Sequence, residues 1–198
     1  MCCAGTMTWE VLPATADRFD DLTTVLNRSR RVNHCWCLSP RLTTGDIERL
    51  GGGSRESAMR RLCERPIPPG VLAYRDGEPV GWCNVGPRAD MSRMTRSRTI
   101  PTVDVPVWSV VCLVVRPGYR RQGVTSVLLD GVVEHAAAHG APALEAYPVE
   151  PQGRMDTTMA FVGMVPMFER AGFIKVVPTD AHSGGLVRWL MRRELADR

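Results

Sequence analysis

The chain is almost without lysine: Lys175 stands alone, and arginine supplies the rest of the 25 basic residues. That bias reads first as the coding habit of a GC-rich genome and only second as function. No apolar run approaches the ~18 residues of a membrane span, no signal peptide precedes the cysteines, and there are no repeats or low-complexity tracts. These absences argue against a membrane-spanning helix and a repeat array, and the expected setting is a reducing cytoplasm. Two phosphate-binding signatures are also missing, GxxxxGK[ST] and GxGxxG, so neither a Walker loop nor a dinucleotide fingerprint is present. The seven cysteines, Cys2, Cys3, Cys35, Cys37, Cys63, Cys83 and Cys112, are odd in number and read as free thiols. His34, Cys35 and Cys37 would suit a metal, but a Cys-x-Cys pair without a second spaced ligand pair is a weak zinc pattern. A packed loop anchored by Trp36 is the simpler reading, and no metal is expected.

What remains is an ordinary globular balance: 198 residues, 44% apolar, 23% charged, net charge +4. A loose leader, Met1 to Met7, and one domain over 8–198 are expected. The charge suits an anionic cofactor and does not demand nucleic acid. The polar stretch Gly86 to Pro106 carries Arg88, Arg93, Arg96 and Arg98 but no interleaved aromatics for base stacking. It is expected to be a solvated loop near the mouth of a site.

The chemistry concentrates in Val107 to Gly140. Val107 to Val115 is apolar and uncharged, as a strand buried on both faces should be. Arg116, Pro117 and Gly118 break it. Val124, Val127, Leu128, Val132 and Ala136 then repeat at helical spacing, and Gly140 ends the pattern. Between strand and helix lie Arg120, Arg121, Gln122 and Gly123. A helix start presents unpaired N–H groups and partial positive charge, Gly123 allows close approach to the backbone, Arg116, Arg120 and Arg121 add charge, and Thr125 and Ser126 add hydroxyls. This pattern predicts a pyrophosphate cradle; the plainer alternative is a basic turn.

Elsewhere, Thr8 to Leu12 reads as a strand and Asp17 to Asn27 as a helix. Two further helices start near Thr44 or Asp46 and at Ser54, with Gly51-Gly52-Gly53 between them as a hinge or a plain connector. Val71 to Tyr74 and Pro79 to Val85 form a hairpin around Asp76-Gly77. Ala143 to Tyr147 is a short strand, Met164 to Ala171 a short helix, and Phe173 to Val177 and Leu186 to Arg192 two last strands. A mixed α/β (α+β) sheet with helices on both faces follows.

Val115-Arg116-Pro117 with Arg120-Arg121-Gln122-Gly123-Val124-Thr125 resembles motif A of the GNAT superfamily, V-x-P-x-x-[RQ]-x-x-G-x-[GA], with Thr125 where the family prefers Gly or Ala. Met167-Phe168-Glu169-Arg170-Ala171-Gly172-Phe173 resembles the family's L-Y-E-K-x-G-F segment, and the order of elements agrees from Thr8 to Arg193. The resemblance implies a mostly antiparallel sheet whose central strands splay apart, and acetyl-CoA as cosubstrate. Pantetheine would pair with Leu113, Val114 and Val115, and pyrophosphate would sit on Arg120, Arg121, Gln122, Gly123, Val124 and Thr125. It implies acetyl transfer to a primary amine by direct attack, with backbone N–H near Leu113 or Val114 at the thioester carbonyl. Acetyl-CoA and an amine acceptor are the expected partners, for a monomer or a homodimer, with neither nucleic acid nor membrane.

Two positions depart from the family. Phe168 stands where many members carry a tyrosine acid, and Ser109 where some carry a glutamate base. Tyr147 is the leading substitute acid and Cys112 the next. Glu145, on the same side of its strand as Tyr147, is the leading base. Asp104, Glu150, Asp156 and His34 follow, while His135, His139 and His182 are expected at the surface. The missing groups leave a second reading open, a non-catalytic acyl-CoA-binding module.

Overall fold

The computed structural model describes residues 7–32, 34–101, 105–151 and 160–195. Met1 to Thr6 of the expected leader Met1 to Met7, and Asp104 and Asp156 among the base candidates, lie outside them. Seven strands form one sheet: β1 (Trp9–Pro13), β2 (Gly70–Arg75), β3 (Glu78–Pro87), β4 (Trp108–Val115), β5 (Ala143–Ala146), β6 (Ile174–Ser183) and β7 (Leu186–Glu194). Their spatial order is β1-β2-β3-β4-β5-β7-β6. Every neighbouring pair is antiparallel except β4 with β5, which run parallel.

Helices cover both faces, because the strands alternate apolar side chains to either side. On one face lies α5 (Val124–Ala138). Its Val124, Leu128, Leu129, Val132 and Ala136 share a core with Val71, Ala73, Val80, Val85, Trp108, Val110 and Leu113. Gly131 lets α5 come down on β1: a Cβ there would stand 2.3 Å from Val11 Cγ1. The opposite face carries α1 (Phe19–Leu26), α2 (Thr44–Gly51) and α3 (Arg55–Cys63). Phe19, Leu22, Val25, Met59 and Leu62 pack there against Leu72, Trp82 and Cys112.

The triple glycine makes a tight corner. Thr43 and Ser54 cap the helices on either side, and Gly52 and Gly53 take left-handed φ of 57° and 88°.

Three sequence expectations need correction. Among the described residues of Gly86 to Pro106 the chain is not simply a solvated loop: β3 runs on through Pro87, a 3-10 turn spans Arg88–Asp90, and α4 covers Ser92–Thr95. Met91, Met94, Ile100 and the Arg88 side chain are all buried. The strand expected to stop at Val177 continues to Ser183, and Gly184-Gly185 makes the turn. His135 is half-buried rather than at the surface. It lies edge-on to Trp108 and 4.6 Å from the His139 ring, and its Nε2 has no hydrogen-bond partner among the described residues.

Burial, helped by His139, pushes the His135 imidazole down from its ordinary 6.5 to about 4. The unfolded chain then binds a proton that the folded chain refuses. His135 therefore stabilises the fold fully above pH 6.5, and this contribution is lost as pH falls towards 4. A series of Tm measurements from pH 7 to 4 should show a shallower fall for His135→Leu than for wild type; parallel curves would remove this assignment.

Candidate active site

β4 carries a bulge. Val85 pairs with Val110 and Asn84 with Cys112, so Val111 has no partner on β3. The extra residue breaks the strand's alternation. Trp108, Val110 and Leu113 face α5, Cys112 and Val114 face α1 and α3, and Val111 joins a separate cluster with Tyr147. On its other edge β4 pairs with β5 only at Trp108–Leu144, Ser109–Glu145 and Val110–Ala146. There β5 ends, while β4 runs on through Leu113, Val114 and Val115. The chain returns to this gap with the 3-10 turn Ala160–Val162. Phe161 packs into the cluster holding Cys112, Val114 and Trp36, and a Cβ at Gly163 would lie 3.3 Å from Leu113 Cδ1.

The turn after β4 winds through three left-handed residues, Gly118 (φ 94°), Arg121 (φ 61°) and Gly123 (φ 84°). Gln122 Nε2 donates to Gly118 O at 2.7 Å, and the Arg75 guanidinium donates to the Gln122 side-chain oxygen. No side chain caps α5, and the bond from Val127 N to Gly123 O closes its first turn. The N–H groups of that first turn are thus available to an anion. Val124 anchors the helix in the core, Thr125 is half-buried, and Arg120, Arg121, Gln122 and Gly123 are exposed. Arg116 is not part of this cradle. Its Nη1 donates back to Pro79 O at 2.5 Å and lies 3.6 Å from Glu78.

A buried polar cluster lies beside the point where β4 and β5 part. Ser109, Glu145 and Tyr147 share a face of the sheet, and all three are almost fully excluded from solvent. The Tyr147 hydroxyl donates to Glu145 Oε2 at 2.9 Å, with Ser109 Oγ 3.0 Å from the phenol oxygen. Arg88 Nη1 donates to Glu145 Oε2 at 3.0 Å and to the phenol oxygen at 3.3 Å, and its Nη2 reaches Pro101 O at 2.6 Å. Among the described residues Glu145 Oε1 has no hydrogen-bond partner; Arg192 Nη1 stands 4.0 Å away. Burial, then the Glu145 charge, pushes the Tyr147 phenol well above its ordinary range, against the pull of Arg88. The sequence reading missed Arg88, although Glu145 in an apolar strand was a signal that a cation had to be brought to it.

The remaining candidates scatter. Phe168 is buried in a T-shaped contact with Phe173, ring centroids 5.2 Å apart. Cys112 is buried 2.8 Å from Cys37 Sγ. His34 lies edge-on to Trp36, its imidazole pushed down first by burial and then by Arg31. Glu150 pairs with Lys175 at 2.7 Å. Among the described residues no group of three His, Cys, Asp or Glu side chains is placed to hold a metal ion, and no helix is long and apolar enough to cross a membrane.

Known proteins share this fold. The structure of a GNAT-family acetyltransferase from Streptococcus pneumoniae is similar at TM-score 0.54 and 19% identity, over 96% of this chain and 100% of that one. The PaiA N-acetyltransferase of Thermoplasma acidophilum, solved in complex with coenzyme A, is similar at TM-score 0.53 and 13% identity, over 94% and 99%. YncA of Salmonella typhimurium, a putative acetyltransferase solved with its cofactor acetyl-CoA, is similar at TM-score 0.51 and 14% identity, over 96% and 95%. No curated protein matches the chain significantly. The family model described as the acetyltransferase (GNAT) family matches residues 41–173, from the Arg41 that precedes α2 to the Phe173 that leads into β6, and the chain therefore belongs to the GNAT acetyltransferase family.

Proposed function

We propose that the chain transfers the acetyl group of acetyl-CoA to a primary amine by direct attack. The observation that carries this reading is the free edge of β4 running straight into the left-handed turn at the start of α5. Leu113, Val114 and Val115 pair with β3 on one side and, among the described residues, have no strand on the other, so this stretch offers the pantetheine amides the backbone groups that alternate towards its open side. Arg120, Arg121, Gln122, Gly123, Val124 and Thr125 offer N–H groups, charge and a hydroxyl to the pyrophosphate. Backbone N–H near Leu113 or Val114 would hold the carbonyl oxygen as negative charge grows on it.

The amine nitrogen attacks the thioester carbon, the C–S bond breaks, and one proton must pass from the amine to the departing sulfur. Glu145 and Tyr147, in hydrogen-bond contact, are a pair able to pass it along: the carboxylate accepts a proton and the phenol delivers one. Arg88 Nη1 stands 3.0 Å from Glu145 Oε2 and holds the carboxylate in place beside the phenol. Tyr147→Phe is then expected to lower kcat by ~10²-fold, the usual size for one acid–base group, with acetyl-CoA affinity near wild type. Steady-state kinetics with calorimetry checks this. Rate and affinity falling together would make Tyr147 a packing residue.

One observation favours a second reading, a non-catalytic acyl-CoA-binding module: Tyr147, Glu145, Ser109 and Arg88 are buried and largely occupied with one another. A panel of primary amines with acetyl-CoA, read by released thiol, separates the two. Acceptor-dependent thiol release supports transfer. Binding without release from any amine supports the module.

A further inference from the structure

We infer that Cys37 and Cys112 form an oxidation site, in which a hydroperoxide joins the two thiols as a disulfide and pins the loop before α2 to β4. Their sulfurs lie 2.8 Å apart, although 75 positions separate them in the chain. Both are buried, at 6% and 4% exposure.

The approach is built from both sides. On the loop, Trp36 and Cys37 are consecutive non-glycine residues with left-handed φ of 53° and 52°. Such a conformation persists only where its surroundings over-determine it. Here Trp36 stacks on Phe19 with centroids 5.4 Å apart, and Asn84 Nδ2 donates to Cys37 O at 2.9 Å. Asn84 is fixed in turn by Arg41, a buried guanidinium that donates to its Oδ1 at 2.9 Å and also reaches Pro69 O and Val85 O. On the strand, the bulge at Val111 turns Cys112 to the face where the loop lies. Cys83, one strand over, belongs to the core on the opposite face of the sheet. Cys35 is exposed, 3.6 Å from Ser39 Oγ.

The chemistry balances with hydrogen peroxide as oxidant. One thiol attacks the O–O bond, giving a sulfenic acid and water. The second sulfur displaces the sulfenic oxygen as a second water, so the S–S bond forms as two thiols lose two electrons and the peroxide gains them. Contact with Cys37 and burial push the Cys112 thiol up. Thiolate is therefore scarce and closure is slow, the behaviour of a site that responds to sustained oxidant. The functional consequence rests on the acetyltransferase reading. β4 would carry the acyl donor, so the disulfide would lock the buried loop at Trp36 and Cys37 against the strand that holds the cosubstrate.

The reduced protein is treated with hydrogen peroxide, free thiols are alkylated, and the digest is analysed by mass without reductant. A cross-linked peptide joining Cys37 to Cys112, released by dithiothreitol, is expected. The oxidised protein should melt higher by on the order of 5–10 °C, reversibly, and the shift should vanish in Cys37→Ala and in Cys112→Ala. Recovery of both cysteines alkylated or as unlinked sulfinic acids overturns the inference, as does a melting shift that survives in Cys37→Ala. The peptide map on wild-type protein decides the matter even if a variant folds poorly. Calorimetry with acetyl-CoA on reduced protein tests the cofactor reading separately: binding without the cross-link sinks only this inference, and the cross-link without binding sinks only its functional consequence.

Discussion

Gly123→Glu is expected to lower acetyl-CoA affinity by ~10²-fold or more while leaving the protein folded. Two effects separate at this position. Gly123 has φ of 84°, so any side chain there costs ~1–2 kcal/mol of backbone strain. Yet an added Cβ meets no atom within 4 Å, so the turn has room for the side chain itself. What a glutamate adds is a carboxylate among the N–H groups at the start of α5, where the proposed pyrophosphate would lie. Like charges brought together at an interface cost several kcal/mol. Gly123→Ala provides the control, with the same backbone strain and no charge, and it should lose far less affinity than the glutamate. Calorimetry of both variants, with Tm as a check on folding, measures the difference. Wild-type affinity in Gly123→Glu would move the cradle elsewhere. Equal losses in the two variants would assign the effect to strain in the turn rather than to an anion site.

The parts of this molecule that were legible in the sequence are local. Val124, Leu128, Val132 and Ala136 announce α5 by their spacing, and Ser54 and the triple glycine mark helix ends by their side-chain and backbone chemistry, whereas the cap of α2 is Thr43, just before the expected Thr44 or Asp46. The turn around Gly123 is legible for the same reason, since an apolar strand, arginines, a glycine and an amphipathic helix lie next to one another in the chain. The bulge was not legible. Ser109 to Val115 is a run of similar residues with no polar alternation to register a slip, so nothing in it shows that Val111 stands outside the ladder. The destinations of the arginines were not legible either. Arg88 and Arg116 look alike in the sequence, both in basic, proline-flanked stretches. One is drawn into the core by a carboxylate 57 positions away and the other folds back on a neighbouring strand. Such choices depend on long-range pairing, and the charge that decides them, Glu145, sits in a strand that shows no pairing partner until the sheet has formed.

Arg88 is therefore where the largest loss of stability is expected. Arg88→Met keeps a long apolar stem but leaves the wholly buried Glu145 carboxylate without its closest cation; Arg192 remains 4.0 Å off on the other oxygen. Breaking one side of a buried ion pair costs ~3–5 kcal/mol, because the orphaned charge has lost water and partner alike. For a chain of this size that corresponds to a Tm lower by roughly 6–20 °C. The alternative cause is packing, since Arg88 is buried beside the cluster formed by Met91, Met94, Ile100 and Tyr147. A double-mutant cycle tells the two apart. Glu145→Gln removes the charge while its side-chain oxygen can still accept from the Tyr147 hydroxyl. Arg88→Met combined with Glu145→Gln should then be more stable than Arg88→Met alone, with a coupling of ~2 kcal/mol between the sites. Denaturant melts of the four proteins measure that coupling. A double variant no more stable than Arg88→Met would show that the Arg88 stem, not its charge, holds this part of the core, and that Glu145 does not depend on Arg88 to stay buried.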